Sequence, residues 1–204
     1  MKNTTRELVT LAVFGALWGV VEISLGSVFH AVKMPMAGLG LAAVGLIIAL
    51  VGRAFVPKRG STIFIGVIAT ILKLFSIGAI VIGPMIGILS EALLAELVLS
   101  LFRRPSRLAF VSAAMLGVSW VLVQPFVTGL LLFGRDVFSV WLDTLDLGAR
   151  LFGFDSQAVV WILAALVGFH LAVGAAAGWL AWWLSGLVFA RLGRRVPIAV
   201  QPTN

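Results

Sequence analysis

Residues 157–181 read QAVVWILAALVGFHLAVGAAAGWLA. These 25 residues hold no Asp, Glu, Lys or Arg, and His170 is their sole ionisable side chain. A helix crosses the hydrocarbon of a bilayer in ~20 apolar residues, so this stretch is long enough to span. Working back along the chain, comparable runs lie at about 108–133, 84–102, 62–82, 36–52 and 8–29. The composition agrees: 61% of the 204 residues are hydrophobic and 11% are charged, against about a quarter charged in a soluble domain. A domain of this size cannot hide so much apolar surface from water. The sequence therefore predicts an all-α integral membrane protein of six transmembrane helices, a single membrane domain over 1–204. There is no cysteine, which excludes disulfides, thiolate catalysis and Cys-ligated metals. The first run is too long for a cleaved signal peptide and is followed by further spans.

The basic residues orient the bundle. With six crossings, Lys2, Arg6, Arg53, Lys58, Arg59, Arg103, Arg104, Arg107, Arg191, Arg194 and Arg195 share one side, while Lys33, Arg135 and Arg150 lie on the other. Cytoplasmic loops are the ones enriched in Lys and Arg, so both termini are expected in the cytoplasm, with a basic cytoplasmic tail at 191–204. The net charge of +7 then marks topology, and no nucleic-acid partner is expected. The long link after the fifth span carries Phe138, Trp141, Leu142, Leu145, Ala149 and Phe152 at helical spacing, with Asp143, Asp146 and Arg150 off that stripe. Segment 137–152 reads as an external amphipathic helix between helices 5 and 6.

Helices in lipid associate through small residues that let backbones approach closely. The first span offers Ala12, Gly15, Ala16 and Gly19 on one face. This stripe serves either internal packing or the docking of another membrane protein. The remaining candidates are polar groups placed inside the membrane, where an ionisable side chain is costly to insert. They are Glu22, Lys73, Glu91, Glu96 and His170. If the third and fourth spans turn at Gly83-Pro84, Lys73 and Glu91 reach similar depth, and a Lys73–Glu91 pair is expected, either as a structural ion pair or within a ligand site. Glu96 reads as structural or as concerned with a partner, and not with a substrate, and His170 as a buried, hydrogen-bonded histidine. Glu22 is the candidate for holding a cationic group.

The fifth span adds Trp120, Gln124 and Thr128 beside Pro125, whose ring frees the carbonyl of Val121. With Glu22, His30, Trp141 and Trp161 they are expected to line a pocket open to the outside. Aromatic faces and a few convergent polar groups suit a small, flat, polar or cationic aromatic compound. Trp179, Trp182 and Trp183 read as an interfacial aromatic belt. No phosphate-binding loop, zinc-protease signature or nucleophile elbow is present. No metal site, cofactor or catalytic residue is expected, and the chain has no visible energy source.

The pattern Gly83-Pro84-Met85-Ile86-Gly87-Ile88-Leu89-Ser90-Glu91-Ala92-Leu93-Leu94-Ala95-Glu96, with Ala12-x-x-x-Ala16 on the first span and six spans overall, resembles the substrate-binding S components of energy-coupling-factor vitamin transporters. The fourth-span pattern is most similar to the branch that handles hydroxymethylpyrimidine and thiamine. The resemblance implies capture of a vitamin or precursor from outside, in a bacterial or archaeal cytoplasmic membrane. It also implies docking through Ala12 and Ala16 on a transmembrane coupling protein that carries two ATPase subunits. Segment 137–152 is a departure from that pattern. Two other readings stand beside it. One is a membrane enzyme in which Lys73, Glu91 and His170 act on a lipid-like substrate; the other is a scaffold whose function lies in its small-residue stripes.

Overall fold

The computed structural model describes residues 4–34, 36–76, 81–134 and 156–193, together with Ser139, Leu142 and Asp146. Among these residues all regular structure is helical. The helices are α1 (Thr5–Ala31), α2 (Ala37–Phe55), α3 (Ser61–Lys73), α4 (Ile82–Leu101), α5 (Arg107–Phe133) and α6 (Ser156–Arg191). Five of them, all but α3, are long and apolar enough to cross a membrane. The chain is a multi-pass helical membrane protein. Large apolar side chains such as Val9, Val13, Leu93, Leu97 and Leu131 face outward, while Glu22, Arg53, Lys73, Glu91 and Glu96 are buried. That inversion of the usual soluble pattern is what lipid as solvent demands.

Helix α2 is the axis: it touches each of the other five. Around it α1, α3, α4, α5 and α6 follow one another, so that α1 and α6 stand at the two ends of an open arc. Small residues set the spacing. Gly174 lies on the backbone of Met115 and Ala114, and Gly178 on that of Phe110 and Val111, which brings α6 against α5. Gly15 and Gly19 do the same for α1, letting Ile68 and Leu72 of α3 fill the space a side chain would take. One apolar core runs through Leu46, Leu50, Phe110 and Val118. A second, through Leu11, Trp18, Ile65 and Ala92, joins α1, α3 and α4.

Contacts between helix ends bring the basic residues of successive links together. Lys58 pairs with Glu7, Arg53 with Glu96, and Arg59 donates to the Ser100 carbonyl. We call this the basic end and the opposite one the far end.

Helix boundaries depart from expectation in three places. The third span, expected over 62–82, is helical only to Lys73. At ~1.5 Å per residue its 13 residues reach about 20 Å, short of a ~30 Å hydrocarbon core. It closes in a tightened turn, with Leu74, Phe75 and Ser76 each donating to the carbonyl three residues back. The expected turn at Gly83-Pro84 lies instead inside the first turn of α4, which begins at Ile82. Proline is harmless there because the first N–H groups of a helix have no intrahelical partner. Last, α6 runs ten residues past the expected end at 181. Its 36 residues reach about 54 Å, so it must project beyond the hydrocarbon. Of the amphipathic segment 137–152, Ser139, Leu142 and Asp146 are helical; its other residues, like the tail beyond 193, lie outside the described residues.

Candidate functional site

The polar interior begins with the close approach of α1 and α3. Because Gly15 and Gly19 admit Ile68 and Leu72, Lys73 at the end of α3 is carried to Glu22 rather than to Glu91. Its Nζ donates to the Glu22 carbonyl at 2.9 Å and to Glu22 Oε2 at 3.3 Å. Both side chains are more than nine-tenths buried. Gly26, one turn further along α1, leaves the ammonium room: a side chain there would come within 3.3 Å of Nζ. The expected Lys73–Glu91 pair is therefore corrected. Depth counted along two helices says nothing about lateral neighbours, and α1 is the neighbour that meets Lys73.

Among the described residues Glu91 has no cation paired with it. It is 5% exposed, and its Oε2 accepts no hydrogen bond. The interior thus holds two carboxyl groups for one ammonium. Two indole N–H groups are also buried without acceptors, those of Trp18 and Trp120. Trp18 is wholly buried. Its indole nitrogen occupies the space a side chain at Gly45 would need.

On α5, Gly117 meets the main-chain oxygen of Glu91, and Gln124 lies against Gly87 and donates to the Gly83 carbonyl at 3.0 Å. Trp120 falls between these two contacts, one turn from each, on the same side of α5. Orphaned buried polar groups are rare in proteins and call for a partner. Among the described residues five such atoms occur: those of Trp18, Glu91 and Trp120, on α1, α4 and α5, and the hydroxyls of Ser61 and Thr62 at the start of α3.

The other expected site residues divide. Thr128 bonds its own helix, at the Gln124 carbonyl. Trp161 is 73% exposed on the outside of α6 and does not join Glu22. Trp141 and the side chain of His30 lie outside the described residues. His170 is buried, with Nδ1 2.8 Å from the Leu166 carbonyl. Its helix packs on α5 and α2, so Lys73, Glu91 and His170 are not brought together.

Of the two roles expected for Glu96 the structure gives the structural one: it accepts from the N–H groups of Gly60 and Thr62 at 2.8 and 3.0 Å and pairs with Arg53 at 3.5 Å. Of the α1 stripe, Gly15 and Gly19 are consumed by α3, whereas Ala12 and Ala16 remain half-buried beside the exposed Val9, Val13 and Leu17.

Trp18 is the residue that sequence reasoning missed. Its signal was present: an indole one turn before Glu22 in the middle of a small-residue face, where no interfacial belt would place it.

In comparisons with family models, curated proteins and solved structures, none matches this chain.

Proposed function

We propose that this chain is the ligand-capturing subunit of a membrane uptake system, an S component that binds a vitamin or vitamin precursor and has no chemistry of its own. The observation that carries the reading is Glu91: a buried carboxyl group whose Oε2 has no donor, in an interior that also orphans the indoles of Trp18 and Trp120. A bound ligand with donor and acceptor groups supplies the missing partners. Without one, each orphan costs roughly 1–3 kcal/mol. Glu22, with Lys73, would set the charge facing that ligand, and Trp120 and Gln124 would border it from α5. Energy would come from a transmembrane coupling protein with two ATPase subunits. Ala12 and Ala16 are the proposed contact, on the part of α1 nearest the basic end. In this reading the chain crosses six times with both termini in the cytoplasm, in a bacterial or archaeal cytoplasmic membrane.

Native mass spectrometry of the gently purified protein tests this. A small molecule of defined mass should co-purify and should be absent from Glu91→Gln prepared identically. A clean apo mass for the wild type, together with no binding of vitamins or their precursors by calorimetry, would defeat the reading.

A further inference from the structure

The two ends of the arc, α1 and α6, both overshoot α2 at the basic end. Helix α2 stops at Phe55. Helix α1 begins nine residues before Phe14, its neighbour there, and α6 continues through Arg191. The result is a notch of about 530 Å³ with a helix on either side. Its floor is aromatic: Phe55 lies 5.5 Å from Phe14 and stacks on Phe189 at 4.7 Å. Its rim is Arg6, Glu7 and Leu192.

Charge in the notch is unbalanced. Glu7 is already held by Lys58 at 2.6 Å, a bond that uses one of the three donors on that ammonium. The Arg6 guanidinium has no hydrogen bond or ion pair with any described residue; only its carbonyl is engaged, by Thr10. Arg6 and Glu7 on the rim balance in formal charge, and Lys58, which sits on Glu7 beside the lining, leaves the mouth with one net positive charge and spare N–H donors above an apolar floor. From Arg6 to Phe14 is eight residues of helix, ~12 Å, so a lipid whose phosphate rests at Arg6 reaches Phe14 with the methylenes of its acyl chains beyond the ester. The level is right as well. Arg6 precedes the apolar run that begins at about residue 8, and Phe14 lies six residues inside that run, ~9 Å, so the notch opens at headgroup depth and its floor reaches the hydrocarbon.

We propose that this notch is a binding site for an anionic phospholipid, with the phosphate on Arg6 and Lys58 and the upper acyl chains on Phe14 and Phe55. Basic pockets between membrane helices recognise anionic headgroups in this way. The site is separate from the Glu22–Glu91 interior and does not depend on the proposed uptake function.

The test uses the full chain, delipidated in detergent and titrated with phosphatidylglycerol, phosphatidylethanolamine or inorganic phosphate under native mass spectrometry. Phosphatidylglycerol should bind at least about fivefold more tightly than phosphatidylethanolamine, and phosphate alone should not displace it. Arg6→Gln should erase most of that preference. Leu192→Glu, at an exposed position, should weaken phosphatidylglycerol by setting a like charge at the mouth. Arg103→Gln, on the exposed link after α4, should leave it unchanged. Equal binding of the two lipids would overturn the proposal, as would displacement by free phosphate, or an equal loss in Arg6→Gln and Arg103→Gln.

Discussion

Glu91 and Glu96 stand five residues apart on α4, and both are buried. Their surroundings could hardly differ more. Glu96 accepts from two backbone N–H groups at the start of α3, from the Ser100 hydroxyl and from Arg53. It does the work of an N-cap, since Gly60 at that position has no side chain to offer. Glu91 has an oxygen, Oε2, with no donor among the described residues. Burial of a carboxyl group is thus not itself a mark of function. What distinguishes the two is whether the fold answers the group it buries.

The largest effect expected from this contrast is on Glu96. Glu96→Ala removes the cap of α3 and leaves Arg53 buried without its counter-ion, a loss of about 3–5 kcal/mol. Thermal unfolding in detergent should show a steep fall in Tm and a poor yield of folded protein. A variant with wild-type stability would mean that the network is incidental.

Next comes the Glu22–Lys73 pair. Lys73→Met strands the Glu22 carboxyl in the interior and should cost about 3 kcal/mol. The double variant Glu22→Gln/Lys73→Met should recover most of that, because neither charge remains to be stranded. Equal stability of the single and double variants would show that the two residues are not energetically coupled. Glu91→Leu is expected to run the other way. Replacing an unanswered carboxyl with an apolar side chain should leave stability unchanged or raise it by about 1–2 kcal/mol, while abolishing the binding of any co-purifying ligand. If Glu91→Leu instead falls as far as Glu96→Ala, the difference between the two glutamates disappears.

How far the sequence carried this comparison can be stated residue by residue. Helix α5 begins and ends within a residue of the expected 108–133, because a continuous apolar run bounded by Arg107 and Gly134 leaves little choice. For Glu96 the sequence narrowed the role to structure or a partner by its nearness to Arg103 and Arg104, but its actual partners, Arg53 and the start of α3, lie on other helices and were not legible. Nor was the partner of Lys73. Rise per residue fixes depth along a helix, but which helix lies alongside depends on the faces that Gly15 and Gly19 open, and those are properties of two helices at once. The early end of α3 was hidden for a related reason: apolar residues continue past Lys73, so hydropathy alone signals no stop. Trp161 misled because an aromatic residue at the rim of a span serves lipid as readily as ligand.

The smallest effect separates the two halves of the α1 stripe. A side chain at Gly15 would stand 2.7 Å from Ile68 Cβ and 2.9 Å from the Ile65 carbonyl oxygen. Those atoms belong to a packed core and a backbone, so neither yields easily, and Gly15→Ala should cost about 1–3 kcal/mol. Ala12 is only half-buried and borders the outward residues Val9 and Val13. Ala12→Trp should therefore change stability by no more than about 0.5 kcal/mol and leave ligand binding intact. If the proposed coupling protein docks on this surface, transport in reconstituted membranes should nevertheless fail. Gly15 then belongs to the fold and Ala12 to the partner, although the two lie on one stripe. A fall in stability for Ala12→Trp equal to that of Gly15→Ala would assign the whole stripe to internal packing and remove the docking surface from the proposal.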